Sequence, residues 1–285
     1  MEVSKNTLQN TANYFKKELR EFYDSSELEQ ILQVVFSHYL SLSRIEVALN
    51  RNQKLSNKDW NKIIGVVNEL KQYKPLAQII GEWEFFGLPL KINEYTLIPR
   101  PETEELVQLI IEKNKNPLSI LDIGTGSGCI ALALKNELNN TEVYACDVSK
   151  EALIVATKNA KDNNLEVMFQ ELDILNYSHQ NKKYSIIVSN PPYITHKEKE
   201  LMYENVLDYE PHLALFVADD APLVFYNAIA DFAMHHLSEN GKLYFEINEA
   251  YGNEVKALLT DKKFKNINIV KDINEKDRIV SCTKN

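Results

Sequence analysis

From residue 101 onward, short apolar runs of strand length alternate with stretches of helical periodicity, and this alternation leaves few architectures open. Residues 104–111 have helical spacing, 118–123 form a largely apolar run, and 129–138 are helical again. Residues 142–146, 166–169 and 184–189 read as strands, with a helix over 151–163 between the first two. Strands at 243–247, 267–270 and 278–282 follow, the last two close enough in sequence to pair antiparallel. Buried strands separated by helices predict an α/β fold, a mostly parallel sheet covered on both faces. The sequence shows no internal repeat.

The earlier part of the chain has another character. Residues 7–72 read as helices throughout. Leu28, Ile31, Leu32, Val35, Phe36 and Tyr39 recur at helical spacing behind a Ser26-x-x-Glu29 capping box, and Ser56-x-x-Asp59 opens a second amphipathic stretch. Between residues 75 and 101 the pattern changes to aromatic and β-branched residues around Gly81, Gly87 and Pro89, which suits a hairpin. The expected organisation is a helical bundle domain over 1–73, a β-hairpin linker over 74–101 and an α/β domain over 102–285.

A glycine-rich turn falls where the first strand of the alternating region meets its first helix. Leu121-Asp122-Ile123 leads into Gly124, Thr125, Gly126, Ser127 and Gly128, and closely spaced glycines let a ligand approach the backbone. A dinucleotide fingerprint needs G-x-G-x-x-G; this turn is G-x-G-x-G, which argues against a nicotinamide cofactor. Asp147 closes the next strand nineteen residues beyond Gly128, where a carboxylate can accept hydrogen bonds from both hydroxyls of a ribose. The plainer alternative for Asp147 is a helix cap, a role that Ser149 could fill instead. Asp173 and Ile174, after the third strand, could offer an acceptor to an adenine amino group and an apolar wall, although aspartate there is also ordinary turn chemistry.

The most specific signal is Asn190-Pro191-Pro192-Tyr193 at the end of the strand over 184–189. Each proline fixes its own φ and keeps the residue before it out of the helical region, so the carbonyls of residues 190 and 191 stay available as acceptors. A planar amide nitrogen is a poor nucleophile because its lone pair is delocalised into the carbonyl. The side-chain oxygen of Asn190 and the carbonyl of Pro191 can accept its two hydrogens and localise that pair, while Tyr193 offers an aromatic face to a flat substrate. Together with the adenosine features, this predicts S-adenosylmethionine-dependent methylation of an amide or amine nitrogen. The plainer alternative is a strand terminator built of prolines.

Composition excludes several classes. A net charge of −9 disfavours broad affinity for phosphate backbones, and residues 1–72 carry only +1, from ten Lys or Arg against nine Asp or Glu. No direct nucleic-acid partner is expected. The polar residues 1–10 lack a signal-peptide core and no run reaches the roughly 18 apolar residues of a membrane span, so the expected location is the cytoplasm, without a membrane partner. Three cysteines, Cys129, Cys146 and Cys282, are too dispersed for a disulfide framework or a metal site. His235, His236 and His38 carry no expected function.

These motifs, together with Leu97-Ile98-Pro99-Arg100-Pro101-Glu102-Thr103-Glu104, resemble the HemK/PrmC family of release factor glutamine methyltransferases. Tyr209-Glu210-Pro211 on to Leu215 and Asp277-Arg278-Ile279-Val280 are similar to further family segments. The resemblance implies a seven-stranded, mostly parallel, Rossmann-like class I methyltransferase sheet with an N-terminal helical bundle that docks a class 1 peptide chain release factor. It implies that the target is the side-chain nitrogen (N5) of the glutamine in a Gly-Gly-Gln motif. By the same resemblance Gly124 to Gly128, Asp147 and Asn190 contact the cofactor, Asn190 to Tyr193 hold the glutamine, and Arg100 and Glu104 line the site. Departures fall at Asp219-Asp220 and at Glu275, where family members more usually carry glycine. Two rivals stand beside this reading: an N6-adenine methyltransferase acting on nucleic acid, and a non-catalytic release-factor or ribosome-binding module.

Overall fold

A computed structural model describes residues 6–138, 140–177, 181–202 and 204–285; the first five residues of the polar N-terminus lie outside the described residues. The chain divides into two compact units, one formed by residues up to 81 together with Glu204–Tyr209, the other by the remainder.

The first unit contains α1 (Leu8–Leu19), α2 (Ser25–Leu40), α3 (Arg44–Leu49), α4 (Asn57–Leu70) and α5 (Leu76–Ile80). Leu8, Phe15, Val35, Ile63 and Val67 are fully buried in its core, drawn from the apolar faces of α1, α2 and α4. Ser56 caps α4 as its spacing predicts, accepting from the Asp59 N–H at 3.1 Å. The cap of α2 is not Ser26. Asp24 accepts from the backbone N–H groups of Ser26 and Glu27, both at 2.8 Å, because a carboxylate two residues earlier also meets the positive end of the helix dipole. Residues 76–80, expected to belong to a hairpin, instead coil into α5 after Pro75 and stop at Gly81, whose φ of +74° favours glycine.

The second unit opens with the hairpin β1 (Glu82–Phe85) and β2 (Leu88–Lys91), closed by Phe86 and Gly87 at φ +51° and +76°. Then come α6 (Pro101–Lys113), β3 (Ser119–Ile123), α7 (Cys129–Glu137), β4 (Glu142–Asp147), α8 (Lys150–Asp162), β5 (Met168–Glu171), β6 (Tyr184–Ser189) and β7 (Ile194–Thr195). After α9 (Glu204–Tyr209), which groups with the first unit, follow β8 (Phe216–Val217), α10 (Val224–His236), β9 (Leu237–Glu246), α11 (Gly252–Asp261), β10 (Lys265–Lys271) and β11 (Asp277–Thr283). Seven strands form one sheet in the order β10-β11-β9-β6-β3-β4-β5. The five from β9 to β5 run parallel, and β11 and β10 each pair antiparallel with their neighbour. The expected strand at 166–169 forms two residues later, as β5, because its partner is the last four residues of β4. Cys146 and Cys282 are buried and Cys129 half-buried, none in a disulfide; burial pushes the Cys129 thiol up to about 12.

Connections from β3 run outward through β4 to β5, and the chain then crosses to the other side of β3 to lay down β6. The β3/β6 boundary is therefore the topological switch point, the place where an open parallel sheet leaves a crevice beyond its carboxyl ends. In the parallel register Ile123 lies beside Ser189, and the Ser189 hydroxyl donates to the Ile123 carbonyl at 2.6 Å. The glycine turn and Asn190 thus leave the sheet side by side.

Asn159 of α8 ties the hairpin to this region. Its buried side chain accepts from the Lys91 N–H at 2.7 Å and donates to the carbonyls of Lys91 at 3.1 Å and Ser127 at 2.9 Å. Asn159→Ala leaves these groups without partners and is expected to lower unfolding free energy by on the order of 3 kcal/mol, read by denaturant titration. The turn between β10 and β11 offers the opposite case. Glu275 adopts φ +62°, a left-handed conformation that costs a non-glycine residue about 1–2 kcal/mol. Glu275→Gly should raise stability by roughly 0.5 kcal/mol, net of the greater unfolded-state entropy of glycine.

Candidate active site

Beyond the switch point lies a cavity of about 380 Å³, a size suited to a small-molecule cofactor. Gly124, Gly126, Asp147, Asp173, Ile174, Asn190, Pro191 and Pro192 all line it. The glycine turn is fixed from below: the N–H groups of Gly124 and Thr125 both donate to the Cys146 carbonyl, at 2.9 and 3.0 Å, and the Thr125 hydroxyl donates to the buried Asp122 carboxylate at 2.6 Å. Burial, reinforced by the nearby charge of Asp147, lifts the Asp122 carboxyl to about 7 although the Thr125 bond opposes the rise.

Gly124 and Gly126 sit at φ +74° and +55°, and a Cβ at either would meet no protein atom within 4 Å. The space over the turn therefore belongs to the cavity. Gly128 serves the scaffold: a Cβ there would lie 3.2 Å from that of Ala156, so this glycine permits the close approach of α7 and α8. Ser127, with only 2% of its surface exposed, and Thr125 are buried in the turn and do not line the cavity.

Asp147 accepts from the Gly126 N–H at 2.8 Å through one carboxylate oxygen and from the Ser149 N–H at 2.9 Å through the other. Each oxygen keeps acceptor capacity toward the cavity. The helix-capping role falls to Ser149, whose hydroxyl accepts from the Ala152 N–H at 3.1 Å. Burial raises the Asp147 carboxyl, opposed by backbone hydrogen bonds from Ser149, Gly126 and Val148. Asp173 accepts from the Leu175 N–H at 2.9 Å and the Asn176 amide at 2.8 Å, so it performs turn chemistry as well as lining the cavity beside Ile174 and Leu172.

On the opposite wall, β7 pairs parallel with β8, and the Ile194 N–H donates to the Leu215 carbonyl at 3.0 Å. This small ladder brings residues 211–214, part of the family-like segment from Tyr209 to Leu215, against the cavity. Glu210 anchors its start: its buried carboxylate accepts from the Ile98 N–H at 3.1 Å and pairs with Arg100. Arg100 therefore lies outside the cavity wall. Glu104 does too, since it accepts from the Phe86 N–H at 2.7 Å at the hairpin turn. Leu97 and Tyr95, from the approach to α6, line the cavity in their place.

Asn190 faces the cavity while its amide nitrogen lies 3.4 Å from the Thr103 hydroxyl oxygen. Thr103 in turn donates to Glu246 at 2.6 Å, and the Tyr193 hydroxyl donates to the other oxygen of Glu246 at 3.3 Å. Tyr193 is thus directed to the end of β9 and is not among the residues lining the cavity. Burial raises the Glu246 carboxyl, against the lowering effects of Thr103 and Arg278, and it pushes the Tyr193 phenol well up. Among the described residues no group of three or more His, Cys, Asp or Glu is arranged to hold a metal, and no helix is long and apolar enough to cross a membrane.

A seven-stranded sheet of this order, with a glycine turn after β3 and an aspartate closing β4, defines the class I methyltransferase fold. Residues 102–209 match the methyltransferase small domain and residues 11–81 match the PrmC N-terminal domain. The chain is 46% identical over 279 residues to the release factor glutamine methyltransferase of Flavobacterium psychrophilum, covering 96% of this chain and 98% of the relative. With that of Bacteroides thetaiotaomicron it shares 38% identity over 272 residues, covering 95% and 98%. The chain belongs to the release factor glutamine methyltransferase family. Among solved structures, a methyltransferase from Pyrococcus furiosus matches with a TM-score of 0.52 at 19% identity, over 70% of this chain and 90% of that one. A Thermus thermophilus 16S rRNA N2 G1207 methyltransferase, solved with AdoMet and guanosine, matches with 0.51 at 16% identity, over 72% and 50%. Likenesses this remote speak to the fold alone.

Proposed function

We propose that this chain transfers the methyl group of S-adenosyl-L-methionine to the side-chain amide nitrogen (N5) of the glutamine in the Gly-Gly-Gln motif of class 1 peptide chain release factors, in the cytoplasm. The observation that carries the reading is the convergence on one cavity of Gly124, Gly126 and Asp147 with Asn190, Pro191 and Pro192. The cavity suits the cofactor chemically: the bare backbone over the glycine turn admits a close ligand, Asp147 can receive a ribose diol, and Asp173 with Ile174 can receive a purine edge and face. When bound, the cofactor supplies an electrophilic methyl group on a sulfonium.

Everything else falls to the chain's own residues. The Asn190 side-chain oxygen and the Pro191 carbonyl accept the two hydrogens of the glutamine amide, which holds its nitrogen with the lone pair directed toward the methyl donor. Such fixed orientation can contribute on the order of 7–11 kcal/mol, and the acceptor dipoles stabilise positive charge as it grows on nitrogen. A methylated amide cation is acidic enough to release its proton to water, so no strong base is needed beside it. Thr125, Ser127 and Gly128 act by shaping the turn, and Tyr193 acts through Glu246. The N-terminal helical unit is the proposed docking element for the release factor, and Arg100 and Glu104 support the substrate side through Glu210 and the hairpin turn.

The test is incubation of the protein with labelled cofactor and either a class 1 release factor or duplex and single-stranded nucleic acid, followed by mass spectrometry. A gain of one methyl group on the Gly-Gly-Gln glutamine is expected. Label on adenine alone, or on neither substrate, would overturn the reading.

A further inference from the structure

We infer that Thr103 and Glu246 form a polarity relay that dictates which end of the Asn190 amide faces the substrate. An asparagine amide can sit either way round in a pocket of given shape, and only its hydrogen-bond partners decide. An ionised Glu246 can only accept. It receives the Thr103 proton at 2.6 Å and the Tyr193 proton at 3.3 Å. With its proton so engaged, Thr103 has only lone pairs to offer Asn190. The Asn190 nitrogen must then turn toward Thr103, and its oxygen must point into the cavity as an acceptor. At 3.4 Å that last contact is long, as catalytic hydrogen bonds often are until substrate tightens them.

The relay rests on the methyl-transfer reading above, and it adds two positioning residues that touch neither substrate nor cofactor. Glu246 is 1% exposed at the end of β9 and Thr103 is 2% exposed in the first turn of α6, so each is costly to bury unless it is partnered. Removing the charge on Glu246 removes the reason for the direction. A neutral amide or carboxylic acid at 246 can donate to Thr103, which then donates to Asn190 and invites the amide to flip, placing a donor where the substrate needs an acceptor. The groups facing Glu246 are Thr103 and Glu102 of α6, Tyr193 beyond β6, Arg278 of β11, Cys129 at the start of α7, and Tyr226 of α10, whose hydroxyl donates to the Glu246 backbone carbonyl at 3.2 Å. Burial outweighs Arg278 and the hydroxyl bonds, so Glu246 loses its charge at a higher pH than an exposed carboxylate.

The experiment compares Thr103→Ser, Thr103→Val and Glu246→Gln with wild type on a release-factor substrate at saturating cofactor, with thermal unfolding and cofactor binding measured alongside. Thr103→Ser keeps the relay and should stay within threefold of wild type. Thr103→Val and Glu246→Gln should lose about 30- to 100-fold in kcat, the scale on which groups that orient a reacting side chain act, with substrate KM and cofactor Kd changed less than about threefold. The ratio of wild-type to Glu246→Gln kcat should climb with pH through the raised Glu246 pKa, which cancels titrations common to both proteins. A folded Thr103→Val with near wild-type kcat, or a kcat ratio independent of pH, overturns the relay while leaving the function intact. Should either variant fail to fold, Thr103→Ala serves in its place under the same criterion. A wild type that does not methylate glutamine overturns instead the reading on which the relay stands.

Discussion

Asn190→Ala is expected to lower kcat on a release-factor substrate by roughly a thousandfold while cofactor affinity stays within severalfold. Removal of one preorganised hydrogen-bonding group from a reacting centre commonly costs two to three powers of ten, and here the lost oxygen does two things. It holds one amide hydrogen, and it helps draw the nitrogen lone pair out of conjugation. The cofactor side of the cavity depends on Gly124, Gly126 and Asp147, which Asn190 does not hydrogen-bond, so binding of S-adenosylmethionine should survive. Single-turnover kinetics beside calorimetry would separate the two effects, and an Asn190→Ala enzyme that turns over within tenfold of wild type would sink the assignment.

The second large effect is expected at Asp147. Asp147→Ala should raise the dissociation constant for S-adenosylmethionine at least about a hundredfold, because hydrogen bonds to a charged group contribute about 1.5–3 kcal/mol each and every 1.4 kcal/mol is tenfold. The same substitution frees the Gly126 N–H, which Asp147 holds at 2.8 Å, so the turn loses definition as well as its ribose acceptor. Asp147→Asn keeps one acceptor oxygen and should fall between, near tenfold. Since the ionised form is the one that accepts from both hydroxyls, and burial raises the Asp147 carboxyl, affinity should weaken as pH falls, starting above the range of an exposed carboxylate. Affinity for Asp147→Ala within threefold of wild type would exclude the ribose role.

Much of this site could be read directly from local sequence. The strand over 184–189 coincides with β6, because a largely apolar run that follows Asn181-Lys182-Lys183 and stops at Pro191-Pro192 has well-marked ends. The glycine turn likewise announced itself, since glycine adopts its positive φ values without the strain that a side chain brings. Two kinds of feature were hidden. Thr103 and Glu246 stand 143 residues apart, and nothing local marks a threonine in a first helical turn or a glutamate at a strand end as members of one network. Arg100 and Glu104 illustrate the converse. Both belong to the family-like segment Leu97–Glu104, yet Arg100 pairs with buried Glu210 and Glu104 holds the hairpin turn, because a charged side chain settles where a buried partner needs it. Glu275 was legible as a departure from glycine, but only the coordinates gave it a conformational cost.

The rungs that join β3 to β6 carry a wider implication. Four consecutive residue pairs, from Ile120 beside Ile186 to Ile123 beside Ser189, set the offset between the glycine turn and the Asn190 motif, to which we assign the methyl donor and the methyl acceptor. That offset is written in backbone amides, which cannot slide by less than a whole residue pair. The loops beyond them are therefore free to lengthen or diverge to suit one partner or another, while the gauge between giver and receiver of the methyl group stays constant.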